Sequence, residues 1–265
     1  AITWHLSGWA YRKKLTFDNY AQSTDLNDFP VLVKLGSANF DYAKSLSSGG
    51  ADLRFVDSDG TDLNYEIEDW NASGTSFIWV SVPRIDAYSQ SDYIWMYYGN
   101  SSATDAQNAA GTWHRSYRLI QHLNESTGAF LDSTSYNNDS TEQVVEARGS
   151  TAGLIAGGAK FDGVDDYVSV PYSNSLEFAY QMTIEAWVKA ESAPSEDAYI
   201  CAKAGSYYLY LHYDQTAKAD FSELSPPGSY YSLTALPLDS WKRVAVTYGE
   251  NQVKVYINGS LDNSY

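Results

Sequence analysis

At 265 residues the chain has room for one large domain or two ordinary ones, each able to bury its own core. Its 33 acidic against 17 basic residues give a formal charge of -16 with no Lys- or Arg-rich run, which argues against nucleic acid and anionic membrane surfaces as partners. No apolar run approaches the roughly 20 residues that a membrane-spanning helix needs. The acidity suits a solvated surface and also the attraction of divalent cations. Cys201 is the single cysteine, so no intramolecular disulfide forms; in Tyr199-Ile200-Cys201-Ala202 it reads as a small buried hydrophobe.

In chain order, short apolar or aromatic runs alternate with turn signals at the spacing of all-β sandwiches. Strands are expected at Tyr11 to Phe17, Phe29 to Leu35, Leu53 to Asp57, Leu63 to Trp70, Ser76 to Val82 and Tyr93 to Tyr98, with one helical turn at Tyr42 to Leu46. Asp18-Asn19, Gly49-Gly50, Asp59-Gly60, Ser73-Gly74 and Gly99-Asn100 break them. Phe77-Ile78-Trp79-Val80-Ser81-Val82 is apolar on both faces, which predicts a central strand covered on each side. Residues 101–111 are small, polar and without apolar periodicity, and read as a linker.

Beyond it, Tyr117-Arg118-Leu119-Ile120 is strand-like and Asp132 to Asn138 is a polar turn cluster. Phe161 to Val170 puts a turn-forming Asp-Gly before a β-branched, aromatic run, and Met182 to Lys189 alternates Ile184, Ala186 and Val188 against Glu185, Trp187 and Lys189. Further strands are expected at Tyr207 to Tyr213, Leu238 to Tyr248 and Val253 to Gly259. The fold class is all-β: two jelly-roll-like β-sandwiches, one at 1–100 and one at 112–265, joined by the 101–111 linker.

The order F-D-G-x-x-D-Y-V at Phe161, T-I-E-A-W-V at Thr183, W-x-x-V-A-V-T-Y at Trp241 and V-Y-I-N-G at Val255 resembles the laminin-G-like, concanavalin-A-like lectin and glucanase superfamily, from about Trp113 onward. The resemblance implies a second sandwich that continues for two or three strands after Gly259, so the domain looks short of its last strands. Trp9-Ala10-Tyr11-Arg12-Lys13-Lys14, Leu53 to Asp57, Leu63 to Asn71, Ile78 to Pro83 and Met96 to Asn100 resemble an uncharacterised bacterial and archaeal domain. That domain accompanies laminin-G-like modules in surface proteins and also occurs in some proton-channel proteins of the biopolymer-transport class. It implies a neighbourhood and no chemistry.

Catalytic residues are not expected. The paired carboxylates of retaining glycosidases, E-x-D-x-x-E on one strand, are absent; Glu66 and Glu68 share a strand face that reads as solvated, and His5, His114, His122 and His212 have no metal-ligand spacing. Asp162, Asp165 and Asp166 beside Gly163 suit calcium, a hard oxygen-seeking ion, and the alternative is a polar hairpin entry whose carboxylates cap nearby amides. In Tyr207 to Tyr213, alternation sends the leucines inward with Tyr207 and Tyr213, and leaves Tyr208, Tyr210 and His212 outward. Tyrosine offers a flat apolar body with a polar tip, which suits stacking on sugar rings; Trp187 and Tyr256 also point away from their strands' core faces. Five Asn-x-Ser sequons, at Asn71, Asn100, Asn124, Asn138 and Asn258, and a start without Met favour an exported chain whose signal peptide has been removed.

These readings lead to an extracellular or cell-surface protein that binds polysaccharide or surface glycan without catalysis. The competing expectation is a structural subunit of an extracellular fibre, with copies of the chain completing one another by strand exchange and Ile2, Trp4 and Leu6 alternating as a donor. The second resemblance adds the extracytoplasmic part of a biopolymer-transport protein.

Overall fold

The computed structural model describes residues 4–149, 153–178, 180–222 and 228–265. Strand accounts for 43% of the chain and helix for 5%, which makes the fold all-β as expected. Two compact units divide it: one runs to Lys160 and takes in Tyr167–Ser175, and the other holds Phe161–Asp166 and Leu176–Tyr265.

The first unit is built from β1 (Tyr11–Thr16), β2 (Leu26–Gly36), β3 (Arg54–Asp57), β4 (Asp62–Leu63), β5 (Tyr65–Asp69), β6 (Thr75–Ile85) and β7 (Tyr93–Tyr98), followed by the single helical turn α1 (Ala109–Thr112). They form two antiparallel sheets, in the orders β1-β7-β3-β4 and β2-β6-β5. Phe55, Leu63, Ile94 and Met96 from one sheet and Val33, Leu35, Tyr65, Ile78, Val80 and Val82 from the other share a single core. The expected strand from Leu63 to Trp70 is two strands in different sheets: Leu63 pairs with Phe55 and Tyr65 with Val80. Asn64 carries the chain across, its carbonyl accepting from Ser81 N at 3.0 Å. The expected turn at Tyr42 is a 3-10 turn, Tyr42–Lys44, capped by the Asp41 carboxylate. Trp4 lies edge-on to Tyr97 of its own unit and donates to Leu6 O. Ala1 to Thr3, with Ile2 of the donor reading, lie outside the described residues.

Residues 101–111 are tied down rather than free. Asn108 N donates to Tyr65 O at 2.9 Å, Gln107 Oε1 accepts from Ile67 N at 2.5 Å, and Arg54 donates to Thr104 O at 2.6 Å. The segment therefore satisfies the open edge of β5, which would otherwise be an unpaired row of polar groups. β6 is central, as expected, and its second apolar face is covered by residues 113–140. In that segment the expected strand at Tyr117 to Ile120 does not form. The Ile120 amide goes instead to the buried Asp132 carboxylate, which also accepts from Thr134 N, Thr134 Oγ1 and Asn138 N. Two small ribbons follow, β8 (Glu142–Val144) with β11 (Tyr167–Ser169) and β9 (Ala147–Gly149) with β10 (Gly158–Lys160). Gly157 lets that second ribbon close, because a Cβ there would lie 1.8 Å from the Gly149 carbonyl.

The second unit contains β12 (Met182–Val188), β13 (Ala198–Lys203), β14 (Tyr207–Leu211), β15 (Thr216–Phe221), β16 (Gly228–Ala235), β17 (Lys242–Gly249), β18 (Gln252–Ile257) and β19 (Ser260–Ser264). Its sheets run β13-β14-β15-β16 and β12-β17-β18-β19. Leu209, Leu211, Ala217, Ala219 and Phe221 pack against Val244, Val246, Val253 and Val255 between them. Their partners in alternation are left on the two outward faces.

Candidate ligand-binding face

The outward face of the β13-β14-β15-β16 sheet carries a row that crosses all four strands. Register places Tyr199 opposite Tyr210, Tyr210 opposite Lys218, and Lys218 opposite Tyr231. Tyr199 reaches this row through a β-bulge between Tyr199 and Cys201. Regular alternation back from the Cys201 and Leu209 pair would turn Tyr199 inward with them. The extra residue turns its ring outward, while Ile200 and Cys201 both pack on the core.

The rings form a graded platform. Tyr208 and Tyr210 stack at 5.7 Å with planes 11° apart, and Tyr199 lies 4.9 Å from Tyr210 and 6.0 Å from Tyr208. Tyr199 is 66% exposed and Tyr210 only 7%, so Tyr199 is the open wall and Tyr210 the floor. The Lys218 ammonium sits 4.9 Å from the Tyr210 ring centre and bonds Asp197 Oδ2 at 2.7 Å and Asp220 Oδ2 at 3.2 Å. His212 Nδ1 meets the other oxygen of Asp197, and its ring stands edge-on to Tyr231. Burial pushes the Asp197 carboxyl up, but the hydrogen bonds from Lys218 and His212 outweigh it and hold it below the usual carboxylate range. Burial, then the Asp220 charge, pushes the Tyr210 phenol up, so it stays protonated as a donor.

Of the residues singled out in the sequence, Tyr208, Tyr210 and His212 come together here. Tyr210 is not solvent-exposed as expected, because Tyr199 and Lys218 pack over it. Tyr213 lies beyond the end of β14 and is 61% exposed, not buried with the leucines. Trp187 and Tyr256 belong to the outward face of the other sheet, where Arg243, cross-strand from Trp187, pairs with Glu185 at 2.6 Å. They are not part of the tyrosine platform.

The carboxylate oxygens of Asp162, Asp165 and Asp166 lie within 4.8 Å of one another. Asp162 accepts from Val164 N at 2.8 Å and Asp165 N at 3.3 Å, and Asp166 from Asp162 N at 2.8 Å. The Val164 amide above all holds the Asp162 carboxyl below its usual range. Oxygen donors of this kind suit calcium, and the same contacts close the turn by themselves. Among the sequons, Asn71 and Asn258 are exposed. Asn138 is buried, its amide nitrogen given to Arg118 O and Ser175 Oγ, so the fold leaves no room for a glycan there. The Asn124 amide nitrogen is likewise given to Glu68 O.

Glu66 and Glu68 are the larger surprise. Their strand face is not solvated: the two side chains are 13% and 3% exposed, and His122 lies between them. His122 Nε2 is 3.4 Å from Glu66 and Nδ1 is 3.3 Å from Glu68. Because the carboxylates take opposite nitrogens of the ring, the three groups do not converge on a point where a metal would sit.

An all-β protein with two sandwiches, the second bearing an aromatic and ionic face, is thus defined by its geometry. Residues 162–265 match the family model of the concanavalin A-like lectin/glucanases superfamily, and residues 49–142 match the domain of unknown function DUF2341. The chain therefore ends in a concanavalin A-like domain preceded by a DUF2341 domain. The latter match reaches past residue 100 to include the segment laid over β5 and β6. No curated protein sequence matches the chain. Among solved structures, an S-layer domain-containing protein (residues 221–444) from Clostridium thermocellum ATCC 27405 is similar at 24% identity, covering 56% of this chain and 71% of that one with a TM-score of 0.33. A protein from Bacteroides ovatus ATCC 8483, described as a "putative carbohydrate binding protein", is similar at 12% identity, covering 92% and 65% with a TM-score of 0.30.

Proposed function

We propose that the C-terminal sandwich is a non-catalytic carbohydrate-binding module of an extracellular or cell-surface protein, attaching it to a glycan-bearing surface. The observation that carries this reading is the row Tyr199, Tyr210, Lys218 and Tyr231. An exposed ring on a rigid strand stacks on a pyranose, and fixed polar groups beside it select hydroxyls. Family membership supports the substrate class, since lectins are among the superfamily's named members. Two features of the same face speak for binding without hydrolysis. Lys218 lies between Asp197 and Asp220, and Asp197 is held ionised, whereas a glycosidase needs one carboxyl kept protonated as a general acid. Calcium at the Asp162, Asp165 and Asp166 turn is a separate part of the reading, and a melting temperature unmoved by chelator and by added calcium would exclude it.

A glycan array tests the proposal, with the wild type and Tyr199→Ala side by side. Specific hits that Tyr199→Ala loses are expected. An array without hits, or hits that the substitution leaves intact, overturns the assignment of the site.

A further inference from the structure

The largely buried Glu66, His122 and Glu68 group lies where residues 113–140 cover the outward face of β5 and β6, and it takes polar contacts from both sides of that seam. Trp113 Nε1 donates to Glu66 at 2.8 Å, Ser133 Oγ to Glu66 at 2.5 Å, and Trp79 Nε1 to Glu68 at 2.6 Å. The His122 ring lies 6.5 Å from Trp79, nearly parallel, and 6.0 Å from Trp113. Glu125, on the same segment, adds a third carboxylate whose charge acts on His122, and Asp69 of β5 acts on Glu68. Arg148, the nearby cation, gives its hydrogen bonds to the backbone of Glu125 and Gly128. The seam thus buries several carboxylates around one imidazole. Such a group is stable only while the imidazole is charged, because an uncompensated buried charge costs several kcal/mol.

We propose that Glu66, His122 and Glu68 form a proton-operated latch: the imidazolium holds residues 113–140 against β5 and β6, and the segment loosens when alkali removes that proton. Burial pushes His122 down, but the Glu66 carboxylate 3.4 Å from Nε2 and the charges of Glu68 and Glu125 outweigh it, so its affinity for the proton is raised. The docked state therefore binds a proton that the released state gives up. The His122 contribution to docking is at full strength below the ordinary histidine value of 6.5, weakens as pH rises through the raised value, and levels off above it. Glu68, pushed up chiefly by burial, works in the same direction above the ordinary glutamate value of 4.5. Glu66 works in the opposite direction: its burial is outweighed by His122, Ser133 and Trp113, its affinity for the proton is lowered, and docking weakens only in acid below its ordinary range.

Hydrogen exchange of the full chain between pH 5 and 10, corrected for the intrinsic rate, tests the latch. Protection of amides in 113–140 is expected to fall by up to about tenfold per pH unit on the alkaline side of 6.5 and then to level, the mark of one linked proton. The imidazole nitrogen shifts of His122 should titrate over the same window. Glu68→Gln should move that window toward the ordinary histidine value, and His122→Gln should abolish it. Protection that stays flat while His122 titrates, or a His122 already neutral at pH 6, overturns the proposal; both readings come from the wild type, so neither depends on a variant folding.

Discussion

Asp52 shows what a single residue does for the first sandwich. Its buried carboxylate accepts from Ser45 Oγ and from the amides of Leu46, Gly99 and Asn100, joining the loop after the 3-10 turn to the end of β7. Asp52→Ala would leave four donors unsatisfied. At about 1 to 3 kcal/mol for each buried orphan, relieved in part by water, a loss of roughly 3 kcal/mol is expected in urea unfolding, and less for Asp52→Asn, which keeps one acceptor oxygen. Burial pushes this carboxyl up, but the four donors together hold it below its ordinary value of 3.8. Its contribution is therefore complete above that value and is lost as pH falls through the depressed one, so the wild type should lose stability in acid that Asp52→Asn does not. A variant as stable as the wild type at neutral pH would contradict the assignment.

At the scale of elements, the platform is an exercise in register. Tyr208, Tyr210 and His212 were legible because strict alternation in Tyr207 to His212 separates leucines from polar aromatics. Tyr199 was not, because a bulge reverses the face of one residue and leaves no mark in the sequence. Lys218 and Asp220 were missed because the middle of Thr216–Phe221, Ala217 to Asp220, is small and charged without the β-branched signature of a strand. Lys218 ties the segment before β13 to β15 across β14, through Asp197. Lys218→Met should release the Asp197 carboxyl upward from its depressed position, readable in its carboxyl carbon shift, and should weaken glycan binding. An unmoved Asp197 would show that His212 alone holds it. The Glu66, His122 and Glu68 group was hidden for a different reason: strand alternation puts two glutamates on one face, and only the path of residues 113–140 makes that face an interior.

For the whole molecule, the motif order announced two sandwiches, and two separate cores are found. The division between them was harder to read, because residues 101–111 look like a linker by composition while their backbone completes the edge of β5. Two cores predict two unfolding transitions in calorimetry. Leu209→Ala should lower one of them and Phe55→Ala the other, each by about 2 to 5 kcal/mol of its unit's stability. A single transition shifted by both substitutions would mean that the units unfold as one.

The proposed carbohydrate-binding surface is the tyrosine face of the second sandwich, and not the Trp187 face. Calorimetric titration with the strongest array glycan, run on Tyr199→Ala and Trp187→Ala variants of unchanged melting temperature, measures this directly. Tyr199→Ala is expected to weaken binding about tenfold, roughly 1.4 kcal/mol of stacking, while Trp187→Ala binds as the wild type does. Binding lost in Trp187→Ala and kept in Tyr199→Ala would contradict it.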